Sequence, residues 1–230
     1  MSKLKISSLV GAAAILLGAM TTSLMAGSLG IGVQGSGMAI EMQGKETLKT
    51  TGVVSNKKDH GTGIGVPSGY IQYRFGDNGF VVGIEKIYGS GSLGSKSTTK
   101  DDDNDDVDTA ANYVTNYVEA ELEDHVGLYI ETPGFTSAGL FARVGFNQFS
   151  VKTNESLGTG SKYGNEDVDA ISYGIGVKGT ADNGIHLKAA LEYTDFDDMQ
   201  FNSVGSDAVN KVDVTGIEAY GLKISVGYQF

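Results

Sequence analysis

The sequence of 230 residues has no cysteine, no tryptophan and only two prolines. Without cysteine there are no disulfides, no thiol nucleophile and no thiolate metal ligand. Beyond the first 26 residues no apolar run approaches the roughly 20 residues that a membrane-spanning helix needs. Basic residues are scarce as well: 17 Lys and Arg stand against 28 Asp and Glu, a formal net charge of −11. That balance argues against nucleic acid as a partner, because phosphates need a basic surface. Glycine, by contrast, is abundant at 34 residues, and residues without side chains let backbones approach closely.

The N-terminal segment has an order of its own. Lys3 and Lys5 precede an apolar stretch from Leu9 to Met20, and Thr21 to Ala26 ends in a small residue. This is the shape of a secretory signal peptide, residues 1–26, cut after Ala26. The remainder, residues 27–230, is long enough for one domain. Losing the two lysines leaves 15 basic against 28 acidic residues, a net charge of −13.

What fills that domain is alternation. In Leu222, Ile224, Val226, Tyr228 and Phe230 every second residue is apolar, with Lys223, Ser225, Gly227 and Gln229 between. One face of such a strand suits lipid and the other water. Seven further segments alternate: about 27–42, 64–75, 80–88, a fourth ending in Val126, Leu128 and Ile130, then strands around Leu140–Phe146, Ile171–Val177 and Ile185–Tyr193. The first changes phase near Gly35 to Gly37, which a bulge or bend would explain, as would a strand end beyond the membrane. Connections alternate between long (about 43–63, 89–112, 152–167 and 197–211) and short (76–79, 132–134 and 181–184). Short turns on one side and long loops on the other mark a transmembrane barrel. The expected fold is all-β, an eight-stranded antiparallel up-and-down transmembrane β-barrel. Its aromatics are expected in two belts, with Phe75, Phe80, Tyr129, Tyr228 and Phe230 at the turn end. Tyr70, Tyr88, Phe146, Phe149, Tyr173, Tyr193, Phe196 and Tyr220 are expected at the other.

The polar face of the strands points into the lumen. It carries Arg74, Glu85, Glu131, Arg143, Lys178, Lys188, Glu192 and Lys223, together with His186. A barrel of eight strands has room inside only for side chains, so these charges are expected to pair and plug it. A narrow ion pathway or gate is the other reading. The run Asp101 to Asp108 suggests calcium, with Asp101, Asp103 and Asp105 as candidate ligands. It lacks the turn glycine of an EF-hand loop, and the twelfth position is Asn112 rather than Glu, so a solvated acidic loop is preferred. His60, His125 and His186 have no neighbouring catalytic partners in sequence, and no His or Cys pair has metal spacing. No cofactor and no enzymatic activity are expected.

The signal segment, the eight alternating strands and the ending Tyr228-Gln229-Phe230 resemble the small outer-membrane barrel superfamily. Its members include the OmpA transmembrane domain, OmpX and the Opa/NspA-type surface proteins. The resemblance covers residues 27–230 and implies a bacterial outer-membrane location. It implies that Leu222, Ile224, Val226, Tyr228 and Phe230 form the assembly signal read by the barrel assembly machinery, after delivery by periplasmic chaperones. Other implied partners are membrane lipid, lipopolysaccharide and an extracellular ligand, with the chain a monomer. Function would lie in four long outer loops, as a structural or adhesin-like role. A small porin-like channel is the alternative, and a lipid-modifying enzyme a third.

Overall fold

A computed structural model describes residues 27–101, 113–157, 162–204 and 210–230. The signal segment lies outside the described residues, as do Asp103 and Asp105. Asp101 is described only as the last residue of a strand.

Ten strands run in chain order: β1 (Gly27–Leu48), β2 (Val54–Phe75), β3 (Val81–Ile87), β4 (Gly91–Asp101), β5 (Tyr113–Glu131), β6 (Leu140–Ser156), β7 (Glu166–Thr180), β8 (Ile185–Phe196), β9 (Met199–Asn202) and β10 (Asn210–Gln229). Eight of them close an antiparallel ring in the order β1-β2-β3-β5-β6-β7-β8-β10, sealed by pairing of β10 with β1. β4 follows β3 and pairs with β5, while β9 follows β8 and pairs with β10. Tracing directly opposed residues from Ile31 through Ile71, Ile84, Leu128, Phe146, Ile171, Asp195 and Glu218 returns to β1 at Glu41, ten residues further on. Strands in such a staggered ring must tilt strongly from its axis.

Alternation sets the two surfaces. Leu29, Ile31 and Val33 on β1, Ile71 on β2, Ile175 on β7, Leu187 and Leu191 on β8 and Ile224 on β10 are all exposed, Leu191 by 63 %. Their neighbours in sequence point inward. An apolar exterior over a polar interior is the reverse of a protein in water, and it is what a membrane requires. The apolar exterior stops at a row of acids. Glu41 on β1 stands opposite Glu218 on β10, which stands opposite Asp195 on β8. Asp169 on β7 lies near the same level.

Three expectations need correction. The long connections contain strand: β1 runs to Leu48 and β2 begins at Val54, β4 lies within the second connection, β6 runs to Ser156 in the third, and β9 and the start of β10 lie in the fourth. Polar strands beyond the membrane carry no apolar contrast, so their alternation is invisible in the sequence. The phase change near Gly35 to Gly37 is not a bulge, since β1 pairs without interruption from Gly30 to Glu41; it marks the end of the strand that lies beyond the membrane. Met38, Ile40 and Met42 continue the inward face, and what changes is the polarity of the interior. β5 does carry a bulge, at Asp124, with φ of 46° and a register shift between Glu123 and Val126. Finally, Tyr70, Tyr129, Phe149 and Phe196 are not belt residues: all are buried, Tyr129 to 1 % exposure. Each takes the opposite parity to an outward neighbour. The outward aromatics include Phe80, Phe135, Tyr228 and Phe230 at the turn end and Tyr88, Phe146, Tyr173 and Tyr220 at the hairpin end; Phe75 and Tyr193 share the outward parity of Ile71 and Leu191, and Tyr193 packs on Tyr220.

Candidate functional site

The lumen is filled by two layers of opposite polarity. The layer nearer the turn end is ionic. Arg143 reaches all three carboxylates there: Nη2 is 2.6 Å from Glu85, Nη1 is 3.6 Å from Glu131 and Nε is 3.1 Å from Glu192. The last contact is an ion pair whose angles do not make a hydrogen bond. Lys223 bridges Glu85 and Glu192 at 3.0 and 2.9 Å. Glu131, with no exposed side-chain surface, also takes Lys188 at 2.7 Å and Lys178 at 3.3 Å. These residues come from β3, β5, β6, β7, β8 and β10, so one network ties six strands of the ring together.

Unpaired charges would not survive in this setting, because desolvating an ion costs several kcal/mol unless partners and hydrogen bonds offset it. Neutral groups complete the layer. Gln34 donates to Glu85, Lys188 donates to Gln72 at 2.6 Å, and the Lys178 ammonium donates to the Thr132 carbonyl at 2.8 Å. The Arg143 guanidinium lies 3.8 Å from the centre of the Tyr129 ring. Glycine makes room for the two buried tyrosines. A Cβ at Gly83 would collide with the Tyr129 ring, and one at Gly32 with the Tyr70 hydroxyl.

Above this lies an apolar layer of Ile40, Ile64, Val66, Leu93, Leu122, Phe149, Val151, Val168, Phe196, Phe201 and Ile217, with Met38 and Met42 against it. His125 sits at the boundary. Its ring packs on Phe149 at 4.5 Å and its Nε2 lies 3.0 Å from the Asn147 oxygen. The layer has a physical reason. At and beyond the level where the barrel leaves lipid its outside is polar, so only an apolar inside can hold it together in water.

All eight charged residues expected in the lumen point inward. Seven join the network; Arg74 stands apart at the turn-end mouth, where its Nη2 donates to Thr180 Oγ1 at 3.1 Å. The sequence reading missed Gln34, Gln72, Tyr70 and Tyr129 as partners, although the parity of Tyr70 against Ile71 marked it as inward. It missed the apolar layer too, for which the change at Met38 was the signal. Leu222, Ile224, Val226, Tyr228 and Phe230 all face outward. Among the described residues no group of three His, Cys, Asp or Glu side chains has metal-site geometry.

A closed ring of eight antiparallel strands with a lipid-facing belt is the fold of the small bacterial outer-membrane β-barrels, and the turn end is then the periplasmic one. Among solved structures the chain is similar to the outer membrane protein OprG from Pseudomonas aeruginosa, at 15 % identity over 90 % of this chain and 97 % of that one, with a TM-score of 0.53. It is also similar to Neisserial surface protein A (12 %, 85 % and 97 %, TM-score 0.39) and to the outer membrane protease OmpT from Escherichia coli (7 %, 88 % and 97 %, TM-score 0.46). At 15 % identity the likeness to OprG speaks for the fold alone. The sequence matches no protein-family model and no curated relative.

Proposed function

We propose that this protein is a closed, non-enzymatic outer-membrane barrel whose outer hairpins carry a structural or adhesin-like surface role. The observation that supports this is the double closure of the lumen. An ion crossing it would have to break the Arg143 network and then traverse the apolar layer, and each step is strongly unfavourable. The outer hairpins offer the surface for an extracellular ligand, with lipopolysaccharide around them. The outward row from Leu222 to Phe230 is the assembly signal in this reading, delivered by periplasmic chaperones to the barrel assembly machinery, and the barrel works as a monomer. Single-channel recording of the refolded protein in a planar bilayer tests the proposal. Silence is expected from protein shown to be folded by its heat-dependent gel shift, and stable ion-selective openings would overturn it.

One observation favours a second reading, a passage for small solutes restricted to apolar ones. The wall beside the apolar layer is not continuous. β2 pairs with β3 only from Ser68 to Arg74, and β4 pairs with β5 but not with β2. An apolar molecule entering from outside could leave sideways there, at the level where the wall meets the lipid surface. Partition of an apolar fluorophore into vesicles with and without the barrel separates the two readings.

A further inference from the structure

The charges of the lumen do not balance. Among the described residues, five cations and three carboxylates stand inside the membrane-spanning part, and those carboxylates are shared among Arg143, Lys178, Lys188 and Lys223. The surplus collects at the periplasmic mouth. Arg74 on β2 extends to Thr180 on β7, whose directly opposed residue on β8 is His186. Lys178 is the next inward residue along β7. Asp77 and Asp182 lie in the adjoining turns, yet neither makes an ion pair with Arg74 or Lys178 among the described residues.

Unused hydrogen-bonding groups lie in the same part of the lumen. Gln229 is 9 % exposed; its oxygen accepts from Gln72 at 3.3 Å, and its Nε2 has no acceptor among the described residues. His186 is 2 % exposed. Its Nε2 faces the Tyr70 hydroxyl, and its Nδ1 has no partner among the described residues. The Tyr70 hydroxyl proton needs an acceptor, and Nε2 is the one at hand. That assigns the ring proton to Nδ1, which becomes a second buried donor without an acceptor. Surplus cations together with buried donors define what is missing, because a buried donor without an acceptor and a buried cation without a partner are both costly.

We infer that the periplasmic mouth of the lumen is a binding site for one small oxyanion, of carboxylate or phosphate type, held by Arg74 and Lys178 with the Gln229 amide and the His186 ring as donors. The planar guanidinium suits such a ligand by offering two parallel N–H groups to two oxygens. Bound there, the anion closes the mouth beneath the ionic layer and neutralises part of its excess charge. The site is independent of whether the lumen conducts.

The test uses the refolded protein, residues 27–230, labelled with ¹⁵N in uncharged maltoside micelles and titrated with inorganic phosphate and, separately, acetate. The Arg74 Nε–H and Gln229 side-chain amide resonances are followed. Saturable shifts are expected, with affinity about tenfold weaker in Lys178→Gln, as for loss of one charged donor. In Thr180→Asp the chain itself supplies the missing carboxylate beside Arg74, so the Gln229 shift should vanish while resistance to heat in the gel-shift assay rises. Saturation by phosphate but not acetate, or the reverse, distinguishes the two sources of the oxyanion. Shifts that grow linearly and equally in all three proteins would mean an adventitious ion only and overturn the site. If Thr180→Asp fails to fold, Lys178→Gln against the parent protein still decides it.

Discussion

Tyr88 donates its amide to the carbonyl of Pro67 at 2.9 Å, and Pro67 has no N–H to return. The ladder between β2 and the next strand ends at this pair. Residues 88–90 then break the strand, with Gly89 at φ of 85°. Beyond the break the wall is held by side chains: His60 Nε2 lies 3.0 Å from the Leu93 carbonyl, and Gly91 lies beneath Ile64 and Val66.

Restoring the donor should therefore extend the ladder. In Pro67→Ala the new amide is expected to be protected from exchange by bonding to Tyr88. Hydrogen exchange followed by NMR reads it directly. Exchange at the rate of an open chain would show that the turn at Gly89, and not the proline, ends β3.

The gap can also be tied shut. A Cβ built on Gly91 would lie 3.5 Å from the Ile64 Cβ, within the range of a disulfide. No native thiol competes. The pair Ile64→Cys and Gly91→Cys should oxidise to a cross-link visible on a non-reducing gel. If the barrel passes apolar molecules sideways, oxidation should stop fluorophore transfer and reduction restore it. Equal transfer in both states would remove the second reading.

Glu131 is the counter-ion of three cations, Arg143, Lys178 and Lys188, and none of its side chain is exposed. Glu131→Gln should lower stability by about 3–5 kcal/mol, since it leaves buried cations without a partner. Urea unfolding in lipid vesicles measures this. Adding Lys188→Met should recover part of the loss, so the double variant should be less destabilised than the sum of the singles. A loss below about 1 kcal/mol in Glu131→Gln would place water in the layer instead.

Two glycines three residues apart on β1 should respond oppositely. Gly32 faces the Tyr70 hydroxyl and the Val226 carbonyl, whereas Gly35 faces outward with nothing within 4 Å. Gly32→Ala should cost about 1–3 kcal/mol through overpacking. Gly35→Ala should be neutral or slightly stabilising. The same urea titration compares them, and equal effects would contradict the inward packing of Tyr70.

The membrane-spanning half of the fold was legible because lipid imposes contrast. Leu222 to Phe230 alternates apolar with polar only since one face meets hydrocarbon. The ionic layer was legible for the same reason, as Glu85 or Arg143 between outward apolar residues has nowhere to go but inward. The pairing within it was not, because who meets whom depends on register across strands distant in sequence. Arg143 on β6 finds Glu85 on β3 and Glu192 on β8, and no local pattern announces that. The outer half was misread for a physical reason. Once the surroundings turn to water the preferred faces exchange, so at Met38 to Met42 a bulge and a strand end beyond the membrane leave the same pattern in the sequence, and only the register tells them apart.

The acidic row of Glu41, Glu218 and Asp195 sets a waterline. The barrel cannot settle deeper without drawing carboxylates into hydrocarbon, and it cannot ride higher without lifting Leu222 and Ile224 into water. Both displacements are uphill, so the hull has one draught, and the height at which the hairpins stand above the membrane is fixed by the strands that span it.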